Sequence, residues 1–200
     1  MSRRVRRVAW RKDDPFGVEF AEITLDRGTL AARGHAIGSD PVPYLLRYEL
    51  ETRDRFVTAY LRATTTGDGW RRTLDLERDD FARWDAADTV DGRAPFGIAR
   101  HDVAGVAGAV DCDLGLSPVT NSMPVLRHGL LRRAGSVDLL TAWVSVPDLV
   151  VGPSRQRYAG AAAACPDRVR FESRDDPFTA DIGFDADGIV VDYPGIARRL

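Results

Sequence analysis

Residues 113–127 read DLGLSPVTNSMPVLR, and this stretch decides how the rest of the chain is interpreted. A β-type run ends here, a cluster of Ser, Pro, Thr and Asn follows, and apolar residues then return at helical spacing. Thr120 or Asn121 is suited to cap a helix, because its side-chain oxygen can accept a hydrogen bond from a free backbone N–H. Pro124 would then lie in the first turn, where a missing N–H costs little. The stretch predicts the start of a helix, and the same polar groups could also face a ligand.

The apolar spacing continues beyond this helix start. One apolar stripe is formed by Met123, Leu126, Leu130 and Leu131. Arginines follow in the later turns, where positive charge suits the C-terminal end of a helix. We therefore predict one main helix that ends at Gly135, although Gly129 inside it weakens the expectation of a continuous helix.

Most of the remaining chain has the period-two pattern of half-buried strands. Apolar and polar residues alternate in GWRRTLDLERD (69–79), and glycine-containing turn signals occur at 25–30, 64–70 and 185–188. These features predict a long antiparallel meander in which neighbouring strands pair in chain order. The stretch 136–151 is apolar on both faces, which is typical of a strand covered on both sides, such as the inner wall of a rolled sheet.

Length and charge limit the possible classes of protein. A chain of 200 residues is long enough for one sizeable core, so we predict a single domain over 1–200. The 28 basic and 30 acidic residues give a net charge of −2, which argues against a nucleic-acid-binding protein. The basic start, MSRRVRRVAWRKDDP, lacks the apolar stretch of a secretory signal, and no segment has the apolar length of a transmembrane span. We therefore expect a cytoplasmic protein.

The two cysteines, Cys112 and Cys165, are too few for a disulfide-stapled secreted domain. We interpret them as free thiols. The sequence alone does not say whether they lie near each other in the fold.

The common catalytic signatures are absent. The chain has no G-x-S-x-G, no phosphate-binding G-x-x-x-x-G-K and no H-E-x-x-H, and its three histidines lack metal-ligand spacing. We therefore predict no catalytic residue, no metal and no cofactor. Asp111 and Asp113 are the most interesting carboxylates, because residues two apart in a strand share a face. They could share a proton, bind a cation or accept hydrogen bonds from sugar hydroxyls, or they could simply face solvent.

The stretch VDCDLGLSPVTNSMPVLR (110–127) resembles the D-x-D-L-G-x-x-P-x-T-N-x-x-P signature of a glycolipid-binding family of bacterial proteins. Further matching pieces follow in the same order as in that family: AWVSVPDL (142–149), RQRY (155–158), RFESRDDPFTADI (170–182) and VVDYPGIARRL (190–200). The resemblance implies a mainly β fold, a spiral β-roll in which a large antiparallel sheet wraps around a single α-helix. It also implies a cavity and a homodimer.

The resemblance marks a set of candidate ligand-binding residues, several of which carry short or planar groups suited to binding hydroxyls. They are Asp111, Asp113, Thr120, Asn121, Gln156, Tyr158 and Tyr193. Arg127 and Arg157 could add contacts to an anionic head group. The predicted function is non-enzymatic binding of a lipid or glycolipid in an apolar cavity.

Two alternatives remain open from the sequence. One is an enzyme that acts on a small polar substrate through Asp111 and Asp113 with a nearby histidine. The other is a protein–protein interaction module, for example one that pairs through an open strand edge.

Overall fold

The structure is a computed structural model that describes residues 3–160 and 166–200. Within these residues, fourteen strands form one sheet, together with one α-helix and one short 3-10 turn. The strands are β1 (Arg4–Lys12), β2 (Gly17–Asp26), β3 (Thr29–Gly38), β4 (Tyr44–Arg53), β5 (Val57–Gly67), β6 (Trp70–Arg78), β7 (Trp84–Gly92), β8 (Asp111–Leu114), β9 (Ser136–Val144), β10 (Val151–Ala159), β11 (Arg168–Ser173), β12 (Thr179–Phe184), β13 (Val190–Tyr193) and β14 (Ala197–Arg199). The helix α1 spans Ser122–His128, and the 3-10 turn spans Asp54–Phe56.

The strand order in the sheet is β7-β6-β5-β4-β3-β2-β1-β14-β13-β12-β11-β10-β9-β8. The predicted mainly β fold is confirmed, and nearly all neighbours in the sheet are antiparallel and consecutive in the chain. Two pairings depart from the predicted meander: β1 pairs with β14, and β8 pairs with β9 in parallel. The parallel pair arises because the connection from β8 to β9 contains α1, and parallel strands need such a crossover connection.

The sheet rolls up so that its edge strand β8 meets β5. The backbone N–H of Thr58 donates to the carbonyl of Val110 at 3.0 Å. In return, the N–H of Cys112 donates to the Thr58 hydroxyl at 2.9 Å. The Cys112 thiol is buried here, and burial raises its pKa to about 12, so it is a free but unreactive thiol. Cys165 lies outside the described residues.

Helix α1 is packed against the inside of the roll, as predicted, with Met123 and Val125 buried. It is shorter than the prediction, because it ends at His128 and not at Gly135. Gly129 takes the left-handed conformation with φ of 64°, which is favourable for glycine and ends the helix. Asn121 occupies the N-cap position, but its side chain makes no capping hydrogen bond. Among the described residues, no helix has the length and apolar character needed to cross a membrane.

The prediction of one continuous, doubly covered strand over 136–151 is wrong. Strand β9 ends at Val144 and β10 begins at Val151. Between them Ser145 forms a turn, in which its hydroxyl accepts a hydrogen bond from the N–H of Val150 at 2.9 Å. The side chain of Trp143 is 41% exposed, so the end of β9 has one open face.

A buried polar cluster joins the sheet to the loop before α1. Tyr48 donates to Glu19 Oε1 at 2.8 Å, and Ser117 donates to the same oxygen at 2.6 Å. Lys12 Nζ lies 2.9 Å from Glu19 Oε2, and both charged side chains are buried. The ring of Tyr48 lies over Gly34 on the neighbouring strand, where a Cβ would overlap it. Glycine at position 34 therefore allows Tyr48 to reach Glu19, and Glu19 in turn fixes Ser117.

We expect Gly34→Ala to lower the free energy of unfolding by about 2 kcal/mol, because the added methyl group displaces the Tyr48 ring. Urea unfolding followed by circular dichroism measures this change. The matched control is Gly97→Ala, because a Cβ at that position meets nothing within 4 Å and should leave stability unchanged. Equal stability of the two variants would contradict the packing described for Tyr48.

Candidate functional site

A cavity of about 630 Å³ opens beside the end of β8, and we name it the β8 cavity. Its size is within the range typical of small-molecule sites. Its walls include the rings of Trp143, Phe171, Phe178 and Tyr193. Its polar lining includes Asp113, Ser117, Asn121, Ser154, Gln156 and Ser173. The cavity thus places aromatic surface next to groups that form directional hydrogen bonds.

Asp113 lies half-buried in this cavity and is held by two neutral donors. Thr120 Oγ1 donates to Asp113 Oδ1 at 2.8 Å, and Gln156 Nε2 donates to Oδ2 at 2.7 Å. Burial raises the pKa of the Asp113 carboxyl, the two hydrogen bonds oppose that rise, and the nearby charge of Asp111 adds to it. A carboxylate accepts more than two hydrogen bonds, so Asp113 can still accept from a ligand.

Asp111 has a different environment, although it is only two residues away. It is buried and forms a two-pronged ion pair with Arg127, in which Arg127 Nη1 donates to Asp111 Oδ1 at 2.7 Å and Nη2 donates to Oδ2. Arg127 also donates to the carbonyl of Phe56 at 3.3 Å. Burial raises the pKa of Asp111, and the hydrogen bond and charge of Arg127 oppose this rise. This ion pair ties α1 to strand β8 and does not line the β8 cavity.

A chain of hydrogen bonds links the helix entry to Asp113. Asn121 Nδ2 donates to the Tyr158 hydroxyl at 2.8 Å, and that hydroxyl donates to Gln156 Oε1 at 3.4 Å. Tyr158 is buried, and burial, followed by the charge of Asp113, raises its pKa well above the usual range. The tyrosine therefore stays neutral and supports Asn121 and Gln156 from behind.

The structure brings four of the candidate residues together at the β8 cavity: Asp113, Asn121, Gln156 and Tyr193. Thr120 and Tyr158 lie behind them as hydrogen-bond partners. The remaining candidates lie elsewhere, since Arg127 is paired with Asp111 and Arg157 pairs on the surface with Asp138.

Several residues of the β8 cavity are not among the candidates that the sequence pointed to. Phe171 and Phe178 belong to the aromatic walls, and three further carboxylates line the cavity: Asp40, Asp175 and Asp176. Most of these residues lie within the matching segment 170–182, and that match is the one signal that could have pointed to them. Asp40 lies in a distant loop, and nothing in the sequence connects it with the others.

A second cavity of about 580 Å³ lies by the C-terminal half of α1, and we name it the α1 cavity. Its apolar lining consists mainly of Leu25, Phe56, Val125, Leu126, Leu131 and Phe184. Charged residues are also part of its lining: Arg4, Asp26, Arg27, Arg132, Asp167, Asp185 and Asp187. The two cavities therefore differ in chemistry, one mixed aromatic and polar, the other mainly aliphatic with charges.

Features expected of a metalloenzyme are not found in the described parts of the chain. No group of three or more His, Cys, Asp or Glu side chains there is placed to hold a metal ion. No histidine lines the β8 cavity or the α1 cavity. Asp111 and Asp113 have separate partners, so neither carboxylate depends on the other for its hydrogen bonds.

Comparison with known proteins agrees with the sequence resemblance. A family model described as "Putative glycolipid-binding" matches residues 7–199. The chain belongs to this family. A search of curated proteins gave no match.

Among solved structures, the chain is similar to a DUF1089 family protein from Pseudomonas aeruginosa, with 24% sequence identity and a TM-score of 0.70. The match covers 91% of this chain and 92% of that protein. At this level of identity the likeness shows a shared fold.

The raised pKa of Asp113 predicts a pH dependence of stability. The Asp113 carboxyl holds its proton more tightly in the folded state than in the unfolded state. The stabilisation of the folded state that this proton gives is fully present below pH 3.8, the ordinary pKa of Asp, and is lost as the pH rises through the raised pKa. Asp113→Asn removes this loss. We expect the free energy of unfolding of the wild type, relative to this variant, to fall as the pH rises above about 4, measured by urea unfolding.

Asp138→Asn is the matched control with the opposite sign. The hydrogen bond from Arg157 lowers the pKa of Asp138 in the folded state. The stabilisation that the Asp138 carboxylate gives to the folded state is therefore present above the ordinary pKa of Asp and is lost as the pH falls through the lowered pKa. A pH-independent difference between wild type and Asp113→Asn would contradict the environment described for Asp113.

Proposed function

We propose that this protein binds a glycolipid and is not an enzyme, with the sugar head group in the β8 cavity and the hydrocarbon chain in the α1 cavity. The observation that carries this proposal is the composition of the β8 cavity, which combines aromatic walls with four carboxylates and two amides. Membership of the family matched over residues 7–199 supports a binding function.

The β8 cavity has the two kinds of group that a sugar ring requires. The rings of Trp143 and Tyr193 offer flat apolar surface with polar edges. Asp113 accepts hydrogen bonds from hydroxyl groups, and the amides of Asn121 and Gln156 can both donate and accept. Because Asp113 and Gln156 are bonded to each other at 2.7 Å, they are already oriented before a ligand arrives.

The α1 cavity fits an aliphatic chain. Leu126, Leu131 and Phe56 are only half-buried around it, so part of their apolar surface remains open to water. A hydrocarbon chain would cover this surface, at a gain of roughly 25 cal/mol per Å². Asn121, just before α1, lines the β8 cavity, and Val125 lines the α1 cavity, so the two cavities flank the first turn of α1.

The oligomeric state and location belong to the same proposal. Phe20, Ile37 and Leu45 are 47%, 52% and 45% exposed on the outer face of β2, β3 and β4, where Ile37 lies opposite Leu45 and Phe20 lies diagonal to Ile37. A second copy of the chain would cover this apolar patch in a homodimer. We place the protein in the cytoplasm.

Native mass spectrometry of the protein purified from its host, followed by organic extraction, tests the proposal. We expect a reproducible added mass that extracts as a lipid bearing a sugar, on a species that contains two chains. Leu131→Trp narrows the α1 cavity and should reduce the bound fraction at least about threefold.

The matched control is Leu200→Trp, which makes the same change at a residue that is 76% exposed and lines neither cavity, and it should leave the bound fraction unchanged. A spectrum with only the bare chain mass, repeated under gentle conditions, would refute the proposal. Equal lipid content in the two variants would refute the place of the hydrocarbon chain in the α1 cavity.

A further inference from the structure

The charged groups that line the β8 cavity all have one sign. Its lining contains Asp40, Asp113, Asp175 and Asp176, and it contains no lysine, arginine or histidine. Arg155 neutralises one of the four, since its Nε lies 2.8 Å from Asp175 Oδ1. Within the described residues, no basic side chain pairs with the other three carboxylates within 4.0 Å. A ligand in this cavity therefore meets a field that favours positive charge and opposes negative charge.

The hydrogen-bonding groups point to the same kind of ligand independently of the charge. Asn121 lines the cavity and is only 3% exposed. Its Nδ2 donates to the Tyr158 hydroxyl, and among the described residues no group donates a hydrogen bond to its Oδ1, which is therefore able to accept one from a ligand. Asp113 also has accepting capacity left beyond its bonds to Thr120 and Gln156. The polar lining thus offers acceptors to a ligand at two neighbouring positions, Asn121 Oδ1 and the Asp113 carboxylate.

An ammonium group complements this lining, because it carries a positive charge and three donors and no acceptor. A phosphate or carboxylate is mismatched twice, since it is negative and can only accept hydrogen bonds when ionised. The two arginines that could have contacted an anionic head group lie outside this cavity, Arg127 in its ion pair with Asp111 and Arg157 in its ion pair with Asp138.

We propose that the head group bound in the β8 cavity carries a protonated amine, as in an amino sugar, and carries no phosphate or carboxylate. This inference rests on the proposed function, because it specifies the chemistry of the head group at the same site. Asp113 and Asn121 accept hydrogen bonds from the amine, and Asp40 and Asp176 supply negative potential from the rim.

Three octyl amphiphiles with the same ring and chain test the inference: octyl glucoside, its amino-sugar analogue octyl glucosaminide, and octyl glucoside phosphate. Calorimetric titration below their micelle concentrations should show octyl glucosaminide binding about fivefold more tightly than octyl glucoside, and the phosphate at least about tenfold more weakly. The advantage of the amine should shrink between roughly 0.05 and 0.5 M salt, because the rim carboxylates are exposed.

Asp40→Asn/Asp176→Asn should narrow the preference for octyl glucosaminide over octyl glucoside about twofold to threefold. The matched control is Asp68→Asn/Asp91→Asn, which removes two exposed carboxylates that line neither cavity and should leave the preference unchanged.

The possible failures are distinguishable. Phosphate binding as tight as that of octyl glucoside would overturn the inference and leave glycolipid binding intact. An amine preference that the two double variants alter equally would also overturn it, because the rim carboxylates Asp40 and Asp176 would then contribute nothing to that preference. If none of the three amphiphiles binds, the proposed function fails and the inference fails with it.

Discussion

The buried ion pair between Asp111 and Arg127 is the contact on which the rest of the structure depends. It joins the edge strand β8 to helix α1, and both of its charges are removed from water. A buried charge is costly unless its partner is present, so the two side chains hold each other in a single geometry. Because α1 is fixed in this way, Asn121 at its start and Asp113 on β8 keep a constant relation to each other.

Asp113 can bind a ligand because the neighbouring cation, Arg127, is paired with Asp111. It has neutral partners only, Thr120 and Gln156, and these orient the carboxylate without neutralising it. Tyr158 extends the same network to Asn121, so Asp113, Gln156 and Asn121 belong to one connected set of hydrogen bonds. Such a preorganised lining lowers the cost of ordering side chains when a ligand binds. The aromatic walls supply apolar contact area, and the hydrogen-bonding groups fix the orientation of the ligand on it.

Local patterns predicted much of the fold. Period-two alternation and glycine turns located the hairpins, and the run TNSMP located the helix start, because these signals act over a few residues. The end of α1 at Gly129 was missed because an interior glycine can be tolerated in a helix or can end it, and the choice depends on what packs around it. The parallel pairing of β8 with β9 was missed for a similar reason, since the pattern of one strand does not identify its partner.

The candidate site could be predicted only in part. The spacing of Asp111 and Asp113 showed that they share a face, but it could not show that one binds Arg127 and the other Gln156. The contact between Asp113 and Gln156 joins residues 43 positions apart, and no periodic pattern reports a contact at that range. The rim carboxylates Asp40 and Asp176 come from separate loops, so the charge of the cavity emerges only when the sheet has rolled up.

The most direct test of this account compares Asp111→Asn with Asp113→Asn by calorimetric titration of octyl glucoside, with the free energy of unfolding measured on the same samples. The account predicts that Asp111→Asn loses about 3 kcal/mol of stability, because Arg127 is left buried without its counter-charge. It predicts that Asp113→Asn is at least as stable as the wild type at neutral pH and binds the amphiphile at least about tenfold more weakly. Unchanged binding by Asp113→Asn, or unchanged stability of Asp111→Asn, would contradict it.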